Sequence, residues 1–511
     1  MEAIKARHPR RWWILVVLCL STLVLVIDNM VLTVAIPPLA EDIGATAQDA
    51  QWILESYILV FAGLLLTTGS LSDRFGRRKI MIIGLALFGI ASLAATFATN
   101  PEQLIAARFA MGVGGALIMP STLSILITVF DDEERRKAMA VWSAVAMLGL
   151  VGGPILGGAL ISAFWWGAVF LINVPIAAAA IVAAVVLMPE SKGPWQKPDP
   201  VGTILSVVGM TSLVWAIIEY PKHGLTAPLT LAAAGIAVAS LAAFVIWEMR
   251  TDAPMVPLKL FRDRNFSGGS LSLTLVQVGN GGLLLVLTQY LQFVLGFSAT
   301  KAGLAFIPMA VSSLFFNGLG AALGNKIGNR APAALGMLGV AAGFGMLATL
   351  SPGDGFTKVA LALFVFGAGA GLAQPAIVAA LMGAVPAEQA GVGSALNDTI
   401  QQAGAALGIA ILGSVVAGAY TGAMPADAPE GARRDISEAL ALGDAGLAHT
   451  AREAFTTAMS SAFMISAAGV IAAAILAFVV MRDKKAASGE TAPAPVEETA
   501  TSEKPAPALT V

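Results

Sequence analysis

Apolar runs of about twenty residues recur along almost the whole 511-residue chain, and no other feature limits its fold as strongly. A bilayer core about 30 Å thick takes roughly 20 apolar residues per helical crossing. Only 12% of the residues are charged against 57% hydrophobic, whereas soluble domains carry roughly 25% charged residues. The chain therefore needs lipid as its solvent, and its length counts helices rather than soluble domains. Charges and Pro/Gly breaks divide it into fourteen expected spans, near 12–36, 50–71, 79–98, 102–129, 138–161, 165–188, 201–220, 227–247, 266–295, 302–323, 331–350, 357–384, 390–420 and 456–481. The fold class expected is all-α integral membrane.

Net charge is −2, but the placement of the charges is informative. Lys5, Arg7, Arg10 and Arg11 precede the first span. Later basic clusters fall in every second loop, at Arg74 to Lys79, Arg135 to Lys137, Lys192 with Lys197, Arg250 to Arg264, and Lys326 with Arg330. By the positive-inside rule these loops and both termini are cytoplasmic. The loop near 421–455 carries Arg433, Arg434 and Arg452 among at least as many acids. The first span is too long and too acid-bearing for a cleaved leader. Residues 482–511, rich in Ala, Pro, Glu, Thr and Lys, lack the apolar surface to fold and are expected to be a disordered cytoplasmic tail. The single cysteine, Cys19, excludes a disulfide framework and a cysteine-based metal site.

Small residues repeat at a fixed offset. Gly112, Gly114 and Pro120 match Gly367, Gly369 and Pro375, and Gly149 and Gly153 match Gly404 and Gly408, all 255 residues apart. A weaker echo, shifted by 252, relates Asp73 to Arg78 with Asn325 to Arg330. Transporters are often built from such repeats. The expected organisation is a cytoplasmic segment at 1–11, a six-helix half at 12–188, an inserted helix pair at 201–247 and a second six-helix half at 266–481, before the tail. The halves differ at their chemistry-bearing positions: Arg108 corresponds to Leu363, Pro154 to Ile409 and Asp73 to Asn325.

An ionisable side chain inside a bilayer costs about 2.5–3.5 kcal/mol on insertion scales, so it marks a function or a pair. Four residues pass that filter: Asp28 in the first span, Glu55 in the second, Arg108 in the fourth and Asp398 in the thirteenth. Asp28, with Glu55, is expected to exchange a proton or a cationic substrate, with Arg108 tuning the carboxylate; the other reading of these groups is a static buried pair that fixes helix packing. His8, His223 and His449 fall in loops or termini, so a proton relay has to use carboxylates. In the run from Gly149 through Gly153 and Pro154 to Gly157 and Gly158, glycines permit close helix contact and the proline bends the helix. No G-x-x-x-x-G-K-[ST] phosphate loop, metal-ligand cluster or nucleophile–base constellation is found, so neither an ATP motor of that type nor an enzyme is expected. The basic residues sit in short loops rather than on a nucleic-acid face.

Four motifs at successive helices resemble the major facilitator superfamily, in particular its fourteen-helix drug:proton antiporter branch. Gly69-Ser-Leu-Ser-Asp73-Arg74-Phe-Gly76-Arg77-Arg78-Lys79 is similar to the superfamily's cytoplasmic loop between spans 2 and 3. Arg108 with Gly112 resembles the fourth-helix motif, Gly149 to Gly158 the fifth-helix antiporter motif, and Ile27 to Pro37 the first-helix motif of the branch. Trp52 to Tyr57 and Trp166 to Pro175 are most similar to exporters of quaternary ammonium compounds, dyes and other lipophilic cations. Departures are Glu55 where those relatives often have Asp, and Asn397-Asp398 where they show a Glu pair.

The resemblance implies two six-helix pseudo-repeats with an inserted pair, acting as a multidrug efflux transporter. Protons and small amphipathic molecules are its expected partners, the proton gradient its only energy source, and a monomer its expected state. Asp28, Glu55, Arg108 and Asp398 would couple protons to substrate. Gly69, Asp73, Arg74, Gly76, Arg77, Arg78, Gly149, Gly153, Pro154, Gly157 and Gly158 would gate the conformational change. Export of one endogenous metabolite or antibiotic, or a non-transporting membrane sensor, is the alternative.

Overall fold

The computed structural model describes residues 9–130, 132–192, 199–224, 227–252, 254, 256–385 and 390–481. The expected tail, most of the 1–11 segment and Lys197 lie outside the described residues. Among those described there is no strand. The first group of helices is α1 (Arg11–Ile43), α2 (Ala47–Phe75), α3 (Arg77–Thr96), α4 (Pro101–Val129), α5 (Asp132–Ala163), α6 (Ala168–Leu171) and α7 (Asn173–Leu187). Two more follow, α8 (Pro200–His223) and α9 (Pro228–Arg250). The second group is α10 (Arg264–Gln289), α11 (Ala299–Leu304), α12 (Ile307–Ile327), α13 (Arg330–Ala348), α14 (Phe356–Met382), α15 (Ala390–Ala423), α16 (Glu430–Arg434), α17 (Ile436–Ala441) and α18 (Ala445–Val480).

Twelve helical stretches among the described residues are long and apolar enough to cross a membrane, and α2, taken across the bend between Ala47–Leu65 and Thr67–Phe75, makes thirteen. Within α5, Gly152–Ala163 is a shorter apolar helix among the described residues. Exposed large apolar side chains such as Phe315, Leu229 and Val238 form the lipid-facing surface.

Several boundaries differ from the sequence reading for identifiable reasons. The charged motif from Gly69 is not a loop: α2 continues through it to Phe75, and the chain turns only at Gly76, whose φ of +114° suits a residue without Cβ. The expected single spans at 165–188 and 302–323 are each interrupted after their first turns. Pro175 has no N–H for the carbonyl of Leu171, where α6 ends, and Pro308 stands in the same relation to Leu304, where α11 ends. Near 421–455 the chain forms α16, α17 and the start of α18, which begins eleven residues before the expected 456 because a polar turn with His449 and Arg452 extends it.

Each group has its own buried apolar core. One is built from α1–α7 with contributions from α8 and α15, the other from α10–α18. The 255-residue offset recurs in the packing. A Cβ on Gly112 would lie 2.7 Å from the Tyr57 carbonyl on α2, and one on Gly367 would lie 2.2 Å from the Met309 carbonyl on α12. Gly114 abuts Gly84 and Phe88 on α3, as Gly369 abuts Gly336 and Val340 on α13. Gly149 and Gly153 press on Val26 and Met30 of α1, whereas Gly404 and Gly408 press on Thr274 and Val278 of α10. Small residues thus set equivalent close approaches in both groups.

We call the end of the bundle that carries Arg11 and Met481 the near end, and the opposite one the far end. Among the described residues, four hydrogen bonds join the groups toward the far end: Gln51 to the Ile409 carbonyl, Gln292 to the Val34 carbonyl, Thr300 to the Gly158 carbonyl, and Ser162 with Thr300. Helix α8 lies along α2, matching Gln48 with Glu219, Trp52 with Trp215, Gly63 with Val207 and Thr67 with Thr203. It reaches α15 through Ser414, which donates to the Ile217 carbonyl at 2.9 Å.

Candidate functional site

The apolar run of α1 carries one acid at mid-depth, Asp28, seventeen residues or about 25 Å from the start of the helix. Asn100 caps α4 and Pro101 opens it, and seven residues further Arg108 arrives at the same depth from the opposite direction. The two meet: Arg108 Nη1 donates to Asp28 Oδ2 at 2.5 Å, with side-chain exposures of 0% and 1%. Asn173, the first residue of α7, donates to the other oxygen of Asp28 at 2.8 Å and reaches Ser92 Oγ on α3 at 3.4 Å. Arg108 Nε donates to the Ile53 carbonyl on α2 at 3.2 Å, and its guanidinium lies 4.3 Å from the centre of the Tyr57 ring.

Five helices therefore meet around the pair, two of them, α4 and α7, at the carboxylate itself. Breaking a buried pair by removing one partner is far costlier than replacing both, so the cluster is tightly specified. Among the described residues, Arg108 Nη2 and Asn173 Oδ1 are buried without hydrogen-bond partners, and the cluster thus has unused polar capacity at the cation and at the amide.

Glu55 stands apart from this cluster. It is fully buried, and among the described residues neither carboxyl oxygen has a partner within hydrogen-bonding geometry; the Ala410 backbone of α15 lies beside it. Asp398, two turns into α15, accepts from Asn397 at 3.1 Å, and a turn further on Gln401 accepts from Gln374 of α14 at 3.2 Å. The four residues singled out in the sequence thus separate into one pair, Asp28 with Arg108, and two acids placed elsewhere.

The charged motif at the near end ties α2, α3 and α4 to the chain that follows α7. Arg77 bonds Asp73 at 2.7 and 2.8 Å and donates to the Ser124 carbonyl at 3.2 Å. Arg78 donates to the Met188 carbonyl at 2.8 Å and lies 3.8 Å from Glu190. Glu190 also accepts from the backbone N–H groups of Arg78 and Lys79, so it caps the positive N-terminus of α3. Arg74 lies over Phe75 at 5.0 Å. A Cβ on Gly76 would fall 2.7 Å from the Glu190 carboxyl carbon. Gly69 faces Pro120 of α4.

On α5 the glycine stripe is divided between two partners. Gly149, Gly153 and Gly157 rest on α1, while Gly158 rests on α11, where a Cβ would lie 2.3 Å from Thr300 Cα. The Pro154 carbonyl lies 2.1 Å from where a Cβ on Gly303 would stand. Helix α5 is therefore seated against both groups at the far end. Sequence reasoning passed over Glu190 and Ser92, which carry no motif and gain meaning only from what folds beside them; Tyr57 and Asn173 fall within the motifs Trp52 to Tyr57 and Trp166 to Pro175, which do not show that they meet the pair. No group of three or more metal-ligand side chains occurs among the described residues.

Residues 18–409 match the Major Facilitator Superfamily. The chain is 36% identical over 497 residues to the multidrug efflux pump LfrA of Mycolicibacterium smegmatis, covering 93% of this chain and 97% of that one. It is 33% identical to the methyl viologen resistance protein SmvA of Salmonella typhimurium, covering 89% and 94%, and 30% identical to the tetracenomycin C resistance and export protein of Streptomyces glaucescens, covering 95% and 94%. A bacterial homolog of the human lysosomal transporter Spinster, solved in an inward-facing conformation, has the same fold, with a TM-score of 0.67 at 19% identity over 93% of this chain and 99% of that one. With its paired cores and helical spans, the chain belongs to the major facilitator superfamily and is a multi-pass membrane transporter, not an enzyme.

Proposed function

We propose that this transporter exports lipophilic, cationic drugs in exchange for protons. The observation that carries the reading is the buried Asp28–Arg108 pair with Asn173. A carboxylate held by a cation and an amide changes all its partners' needs when it takes a proton, since a neutral carboxyl no longer attracts Arg108. Proton binding at Asp28 would thereby loosen α1 from α4, and drug binding would be linked to it through the same helices. Two relatives are named for multidrug efflux and for resistance to methyl viologen, the latter a permanently charged, flat aromatic dication. That chemistry suits carboxylates in an apolar wall, and Glu55 and Asp398 serve as the further acids for proton or cation.

The working unit is a monomer of fourteen spans, two six-helix pseudo-repeats at 12–188 and 266–481 with the pair at 201–247 inserted, and both termini cytoplasmic. The near end is then cytoplasmic, and the far-end bonds of α5 with α11 and of α2 with α15 close the outer side. Alternating access breaks those bonds, with the Gly149–Gly158 stripe as the surface that parts and reseals, while the Asp73–Arg77 pair and its neighbours keep the cytoplasmic ends of α2, α3 and α4 together. The proton gradient supplies the energy, with no ATP and no cofactor. A second reading, export of one antibiotic, is favoured by the likeness to a tetracenomycin C export protein.

The test is accumulation of methyl viologen by everted vesicles under an imposed pH gradient. Accumulation that collapses with the gradient and with Asp28→Asn is expected. Accumulation indifferent to both would overturn the mechanism.

A further inference from the structure

Glu55 is buried without a hydrogen-bond partner among the described residues, and the surroundings of its next turn explain how it can be reached. One turn toward the far end, on the same face of α2, Gln51 is 5% exposed and donates to the Ile409 carbonyl of α15 at 3.5 Å. That distance is at the outer limit for a hydrogen bond, so shape rather than bond strength seats the side chain. Its Nε2 lies 1.7 Å from where a Cβ on Gly413 would stand, and only glycine leaves room for it.

Beyond Gln51, between α1, α2, α10 and α15, lies a cleft with ≈ 50 Å³ of space open to water. A single water molecule needs roughly 10–15 Å³ and two to four polar partners. Thr46, Gln51, Gln289, Asp435 and Ser437 line the cleft and supply them. Its titratable and charged lining is Asp435, Arg434 and Tyr420. Arg434 is engaged by Glu430 at 2.5 Å and Tyr420 donates to the Ala432 carbonyl; Asp435 accepts from the Ser437 backbone and hydroxyl at 2.7 Å.

We infer that the cleft is a water-filled proton inlet serving Glu55, and that Gln51, seated on Gly413, is its stopper. A proton arrives as hydronium past Asp435, passes to a Glu55 carboxyl oxygen and leaves neutral water behind. Because Gln51 belongs to the first helix group and Gly413 to the second, withdrawal of α15 from α2 opens the inlet at the moment the far end opens. The inference rests on the reading of Glu55 as a proton-exchanging group, and the experiment separates the two.

Cys19 is the only cysteine, which allows Glu55→Cys to be probed alone in a Cys19→Ala protein. In proteoliposomes, its labelling by a membrane-impermeant methanethiosulfonate added on the far side is expected to quicken at least tenfold with Gln51→Ala, and not at all with Gln51→Leu. In protein that retains Glu55, Gln51→Ala and Gly413→Ala are expected to dissipate an imposed pH gradient several times faster than the wild type, and Glu55→Gln to abolish that leak. Faster labelling with a Glu55-dependent leak establishes the inlet. Unchanged labelling overturns it while leaving the proton role of Glu55 untouched. Faster labelling without a leak overturns it too, and removes that role. Should Glu55→Cys fail to insert, the leak measurement decides alone.

Discussion

Replacing Arg108 by methionine removes the cation paired with Asp28 and, among the described residues, leaves the carboxylate with the hydrogen bond from Asn173 at 2.8 Å. Both side chains are essentially without solvent contact, at 0% and 1% exposure, so the loss falls in the range of broken buried pairs, about 3–5 kcal/mol. At 1.4 kcal/mol per factor of ten, that is roughly two to three and a half powers of ten in the folded population. The Tyr57 ring contact at 4.3 Å adds to the loss. The double variant Asp28→Leu with Arg108→Met has no orphaned charge and should regain most of the stability, because a buried pair exchanged for apolar groups is often neutral. Equilibrium unfolding in mixed micelles measures the stabilities, and drug accumulation in vesicles measures function. The expected pattern is a destabilised and inactive single variant beside a stable but inactive double variant. A single variant as stable as the wild type would refute the argument on packing, and a double variant that still accumulates drug against its gradient would refute the argument on function.

Further predictions follow from the same geometry. Gly158→Val, whose Cβ would stand 2.3 Å from Thr300 Cα, should keep the far end from closing at a cost of about 1–3 kcal/mol to that state; a cysteine pair across α5 and α11 should then cross-link more slowly, and an unchanged rate would count against the far-end seal. Glu190→Gln weakens the cap of α3 at Arg78 and Lys79 by roughly 1 kcal/mol, read as faster amide exchange over 77–80. In the turn before α14, the Lys358 side chain and the Ser351 backbone hold the Asp354 carboxyl below its usual range. The bonds are therefore present at neutral pH and lost as the pH falls through that lowered range, and amide exchange at Ser351 should quicken only in acid.

The sequence made some parts of the molecule plain and hid others, for physical reasons. Long apolar runs declare membrane helices, and a charge at mid-span is so costly that Asp28 and Arg108 stood out before any partner was known. Their meeting required the crossing of α1 with α4, and the third member, Asn173, is placed by the break that Pro175 imposes between α6 and α7. The glycine offset carried through to packing because a missing Cβ has the same effect on either group. Charge placement was less reliable for boundaries: the Asp73–Arg78 motif reads as a loop, yet α2 runs on through Asp73 and Arg74 to Phe75. Likewise His449 and Arg452 read as loop residues although α18 includes them. The far-end cleft could not have been read from the chain, since its lining runs from Ile36 to Phe455, residues more than four hundred positions apart.

The central claim, exchange of protons for drug through Asp28, is tested most directly by purified protein in liposomes with a pH-sensitive dye inside and a drug gradient as the only driving force. The account predicts that downhill movement of methyl viologen drives protons the opposite way, and that Asp28→Asn abolishes this proton movement. Drug movement with no accompanying proton flux in the wild type, or proton flux that survives Asp28→Asn, would contradict it.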